Sequence, residues 1–143
     1  MNILSLDELY EKFGFSEETL LCLNYYGKEG SEKIDRIMER FRSKIKARFM
    51  DNEILSIEDY DKGEIFDVRE GKPSSLNFPK SNVLCYNLVS GNKICVRPSG
   101  TEPKIKFYIM IRETEGDLSS KKKAARIKTE QVLNFIKSEA ELS

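Results

Sequence analysis

The sequence contains no histidine. That absence removes the commonest general acid/base and the commonest zinc ligand together. Neither a Ser-His-Asp nor a Cys-His mechanism is available within this chain. Catalysis here would fall to carboxylates, lysine or a bound metal, and no carboxylate cluster has the spacing of a metal-binding loop. Cysteine is sparse: Cys22, Cys85 and Cys95 are an odd set without CxxC spacing. Cys85 and Cys95 flank the Ser90-Gly91 turn, near enough in sequence to meet across a hairpin. Buried reduced thiols are the expectation, because cytosolic chains rarely keep structural disulfides.

Excess charge is missing too. Lys and Arg number 24, as do Asp and Glu, so no global field draws the chain to nucleic acid or an acidic membrane. Any anion site must be a local arrangement. No apolar run approaches the roughly 20 residues that cross a bilayer, and residues 1–8 lack the basic and apolar regions of a secretory signal. The expected location is the cytoplasm, with no membrane and no nucleic-acid partner. At 143 residues, 39% apolar and 34% charged, the chain fits one globular domain with a real core but is small for a complete multi-step enzyme.

What is present reads as alternating helices and strands. Ser5 and Glu8 have capping-box spacing ahead of a short amphipathic helix over 6–13, stopped by Gly14. Residues 19–26 are rich in strand formers. A helix opening at Gly30-Ser31 carries Ile34, Ile37, Met38, Phe41 and Ile45 at helical spacing, with charged residues opposite. Its basic residues Arg40, Arg42, Lys44, Lys46 and Arg48 are spread around the helix, which describes a solvated surface rather than a nucleic-acid face. A strand is predicted over 53–60, closed by Asp61-Lys62-Gly63. Residues 64–80, with Gly71, Pro73, Ser74, Ser75 and Pro79, read as a long connection. Strands follow over 82–89, 93–97 and 105–112, the first two joined by a turn at 90–92. A last helix is predicted over 119–140, capped by Ser119 or Ser120 and buried through Ala125, Val132, Phe135 and Ile136. Its cations Lys121 to Lys123 oppose the helix dipole. The predicted class is α+β: a four-stranded, largely antiparallel sheet with two main helices on one face.

The chemistry concentrates in Arg97-Pro98-Ser99-Gly100-Thr101-Glu102-Pro103-Lys104, a loop held at both ends by strands. Arg97 offers a planar guanidinium that grips two oxyanion oxygens at once. Ser99 and Thr101 add hydroxyl donors. Gly100 permits a positive φ and a close backbone approach, so that successive amides can converge on one anion. Pro98 and Pro103 stiffen the ends, while Lys104 and Lys106 add positive charge. By composition alone, a tight turn and an anion cradle are equally good descriptions; the flanking cations tilt the balance toward the anion. Glu102 is expected to point outward or to pair with a lysine.

The segment RPSGTEPKIKFYI, after the hairpin NVLCYNLVSGNKICV, resembles the phosphate-binding loop in the C-terminal domain of the α-D-phosphohexomutases, the phosphoglucomutase and phosphomannomutase family. YYGKEGSEKIDRIMERFR resembles the helix that opens that domain, EDYDKG its next strand and turn, and LDELYEKFGF the preceding linker. The SGTEPKIK form is most similar to the phosphoglucomutase and phosphopentomutase branch. The resemblance implies residues 1–18 as linker and short helix from a preceding domain, and 19–143 as a C-terminal domain with a TATA-binding-protein-like layer. It implies that Arg97, Ser99, Gly100, Thr101, Lys104 and Lys106 contact the substrate phosphate. The family's active-site serine loop, aspartate-rich magnesium loop and sugar-recognition loop have no counterpart here. The chain is therefore expected to be a fragment without catalytic residues, its three companion domains lying upstream in a parent that uses Mg2+ and a sugar bisphosphate. In such a parent a phosphoserine gives its phosphoryl group to a glucose, mannose or pentose phosphate, and the bisphosphate returns the other phosphate to the serine. The alternative is a free-standing phosphate-binding or regulatory module without catalysis.

Overall fold

Buried positions alternate with more exposed ones along residues 93–98 and 104–113, the pattern of a sheet with one buried and one wet face. The computed structural model describes residues 5–143; residues 1–4, the start of the expected linker, lie outside it. In chain order the elements are α1 (Leu6–Phe13), β1 (Phe15–Asn24), α2 (Gly27–Ser43), β2 (Arg48–Phe49), β3 (Asn52–Asp59), β4 (Glu64–Asp67), β5 (Lys72–Ser75), β6 (Leu84–Leu88), β7 (Lys93–Pro98), β8 (Lys104–Glu113) and α3 (Leu118–Glu141).

The strands form one sheet in the spatial order β1-β8-β7-β6-β3-β4-β5, with β2 pairing β3 over two residues. Every pairing is antiparallel. The sheet thus has eight strands, not the four expected. Two of the additional strands lie in 64–80, where a β4–β5 hairpin replaces the long connection. Its outer strand, Lys72-Pro73-Ser74-Ser75, is exposed at every position, so no hydrophobic period betrays it. Edge placement is what makes Pro73 tolerable there.

On the inner face, Ile105, Phe107, Ile109 and Ile111 of β8 continue into Ile94 and Val96 of β7 and Leu84, Tyr86 and Leu88 of β6. Helix α2 lays Ile34, Ile37, Met38 and Phe41 against them, and α3 adds Ala125, Val132, Ile136 and Ala140. Burying each large side chain contributes about 1.5–3 kcal/mol, so this two-layer core is the main source of stability. The Tyr86 hydroxyl donates to Phe41 O at 2.5 Å, which satisfies a fully buried polar group, and burial pushes its phenol well above the usual range. Arg42 reaches Asp59 at 3.0 Å and Asn82 Oδ1 at 2.9 Å. It serves as an internal strut rather than a free surface cation.

Three further expectations change. Helix α2 begins at Gly27, one turn before Gly30. Helix α3 is capped by Asp117, whose Oδ1 accepts the Ser120 N–H at 2.8 Å, and that bond holds the carboxyl below its usual range. Cys85 and Cys95 stand opposite each other in register, Cα atoms 4.1 Å apart, as a disulfide in place of two reduced thiols. The Lys121 ammonium, near the start of α3, is accounted for: it is 2% exposed and donates to Tyr10 O of α1 at 3.1 Å.

Candidate functional site

The loop between β7 and β8 stands at one end of the sheet's central strands. Val96 pairs with Phe107 on the buried face, so the next pair along, Arg97 opposite Lys106, falls on the face turned away from the helices. Directly opposed like charges cost free energy in a sheet. Neither side chain has a hydrogen bond or ion pair among the described residues. Two cations are therefore held side by side with their donors unused.

Beyond them the chain closes a tight bend. Ser99 N–H donates to Lys104 O at 2.8 Å, and Lys104 N–H to Glu102 O at 2.8 Å. Ser99 Oγ accepts the Thr101 and Glu102 amides at 3.4 and 3.3 Å, long bonds that an anion could displace. Two successive amides and two hydroxyls therefore crowd one small region. Gly100 differs from expectation: it does not adopt a positive φ, and a Cβ there would meet nothing within 4 Å. Its contribution is open space beside the backbone.

Hollows lie on both sides of the bend. One, of about 290 Å3, is lined by Arg97, Ser99, Gly100, Thr101, Lys106 and Tyr108, with Pro98 at its edge. It holds two cations, three hydroxyls and no carboxylate. The other, of about 380 Å3, lies toward α2 and includes Asp35 and Glu102 beside Arg97, so its charge is mixed. Lys104 joins neither wall. Its ammonium sits 2.9 Å from Glu102, and the pairing expected for Glu102 is the one seen. That hydrogen bond holds the Glu102 carboxyl below its usual range and raises Lys104 above its own. Five of the six sequence-selected residues thus meet in one hollow, and the sixth neutralises the loop's carboxylate.

Sequence reasoning missed what supports the loop. Tyr25 N–H donates to Pro103 O at 2.9 Å, and Gly30 packs between Tyr25 and Pro103. The second glycine of Gly27-Lys28-Glu29-Gly30 was the available signal. Tyr108 was also missed, although its place two residues after Lys106 on β8 puts it on the same face.

No family model matches the chain. Curated relatives do. It is 36% identical over 107 residues to a phosphoglucomutase of Staphylococcus saprophyticus, covering 75% of this chain and 19% of that protein. It is 38% identical over 108 residues to a phosphoglucomutase of a bovine strain of Staphylococcus aureus, covering 76% of this chain and 19% of that one. The chain spans about a fifth of the length of the curated relatives it matches. Over the matched three quarters of its length, this chain is similar to a domain-sized segment of these phosphoglucomutases.

Proposed function

We propose that this chain is the phosphate-gripping C-terminal domain of a phosphosugar mutase, holding the phosphate that is not being transferred. The observation that carries the reading is the in-register pair Arg97–Lys106, unpaired and free of carboxylates, beside the hydroxyls and amides of the bend. An oxyanion seated there would relieve the like-charge repulsion and accept a bidentate guanidinium contact. The hollow toward α2 is the poorer seat, since Asp35 and Glu102 would repel a phosphate.

Guanidinium, hydroxyl and amide donors recognise a phosphate and make no demand on the sugar behind it. That suits a reaction in which a bisphosphate intermediate turns over and presents either phosphate in turn. Binding energy from this remote group would orient the reacting end and favour closure of the active-site cleft. The chemical step itself belongs elsewhere in the parent enzyme. The parent's Mg2+ would be held by residues outside this chain. Its partners are the phosphosugar and the domains that supply the nucleophile and the metal.

The test is calorimetric titration of the chain with α-D-glucose 1-phosphate, inorganic phosphate and glucose. Weak binding of both phosphates and none of glucose is the expected result. Equal responses to glucose and to its phosphate would remove the loop from this role.

A further inference from the structure

We infer that Gly30 is a positioning residue for the phosphate loop: its lack of a side chain lets the junction of β1 and α2 press against Pro103 and hold the bend in place. The inference rests on the phosphate-binding reading of that loop. Apart from its ties to β7 and β8, the bend at 99–103 is anchored among the described residues by one backbone bond, Tyr25 N–H to Pro103 O at 2.9 Å. That bond extends the β1–β8 ladder one step past the pair Asn24–Lys104. Helix α2 must start at once after Tyr25, so its first turn folds back over the same point.

Gly30 sits in that turn, buried, with its own N–H donating to Tyr26 O at 2.9 Å. A Cβ at this position would lie 2.9 Å from Tyr25 Cβ, 3.0 Å from the Tyr25 carbonyl carbon and 3.3 Å from Pro103 Cβ. The first distance is closer than side chains tolerate and the other two are tight, and the nearest atoms are backbone or attached directly to it. Helix propensity favours alanine over glycine at interior positions, and Gly30 needs no positive φ. Space is therefore the reason for the glycine. An added methyl must push Tyr25 or Pro103 aside, and Pro103 is four residues from Ser99. Small displacements of groups that converge on one anion are costly to binding.

The experiment is an NMR titration of the full 143-residue chain with α-D-glucose 1-phosphate, following backbone amides, for wild type, Gly30→Ala and Gly91→Ala. Gly91 is the control: it lies in the β6–β7 turn with φ +78, so alanine there also strains the backbone, away from the loop. Both variants should melt at lower temperature. Gly30→Ala should bind roughly tenfold more weakly, with altered Thr101 and Glu102 amide signals, while Gly91→Ala binds as wild type does. Equal affinities for Gly30→Ala and wild type would overturn the inference, as would equal losses in both variants. Should Gly30→Ala fail to fold, the wild-type titration decides: Tyr25 and Gly30 amides must shift along the same curve as Thr101 and Glu102. If they stay put while the loop responds, the inference is wrong. No response at Thr101 and Glu102 in wild type overturns the phosphate reading itself, and this inference with it.

Discussion

Strand β7 is joined to its two neighbours by connections built in opposite ways. At one end the β6–β7 turn, Val89–Gly91, takes positive φ at Ser90 and Gly91. Leu88 N–H donates across it to Asn92 O at 2.9 Å, and Asn92, 2% exposed, accepts the Arg112 N–H at 2.8 Å. Most of its polar groups are spent on the fold, although Asn92 Nδ2 is buried without a partner among the described residues. At the other end the β7–β8 bend leaves the Arg97 and Lys106 side chains unpaired and fills the Ser99 oxygen with long bonds only. A turn that only reverses the chain gains by satisfying its donors internally; a turn that binds must keep donors available.

The largest expected effect separates the two ends directly. Arg97→Ala should weaken glucose 1-phosphate binding by ~2 to 3 kcal/mol, the scale of a charge-assisted contact, or roughly 30- to 150-fold. It should leave the unfolding midpoint nearly unchanged, since Arg97 is exposed and supports no contact of the fold. Calorimetry and urea denaturation on the same preparation check both halves. Asn92→Ala should do the reverse: stability falls by about 1 kcal/mol because the part-buried Arg112 amide loses its acceptor, while phosphate affinity holds. A large affinity loss in Asn92→Ala would break the contrast between the two connections.

The smallest effect sharpens it. Glu102→Gln removes the loop's carboxylate and releases Lys104, so phosphate affinity should rise roughly twofold at low salt and less at high salt. The Glu102 carboxyl is held below its ordinary value of 4.5 by the Lys104 hydrogen bond. A depressed carboxyl stabilises the fold above its ordinary value and ceases to do so as pH falls through the lowered one. The small stability difference between wild type and Glu102→Gln should therefore be flat from neutral pH to about 4.5 and vanish below. Thermal unfolding across that range reads it.

Much of this was legible in the chain itself, for physical reasons. The stripe Ile34, Ile37, Met38 and Phe41 and the alternation Ile105, Phe107, Ile109 and Ile111 both commit to one buried face, and periodicity reports commitment of that kind. The loop's donors were legible because residue type alone fixes what a side chain can donate. What stayed hidden depends on neighbours distant in sequence. The exposed strand Lys72–Ser75 is held by backbone pairing to β4, which carries no pattern. Lys121 looked misplaced against the helix dipole until α1 brought Tyr10 O within reach. Gly30 packs against Pro103, 73 residues away in sequence, as well as against the nearby Tyr25. The disulfide between Cys85 and Cys95 follows from the β6–β7 register, whereas an expectation drawn from cellular location pointed to free thiols.

The most direct measurement is a crystal structure of this chain grown with α-D-glucose 1-phosphate. The phosphate is expected in the hollow bounded by Arg97, Ser99, Thr101 and Lys106, with the guanidinium on two of its oxygens and the Thr101 and Glu102 amides turned from Ser99 Oγ toward it. A phosphate seated instead beside Asp35, or a bend that stays closed with Arg97 folded away from the ligand, would contradict the account.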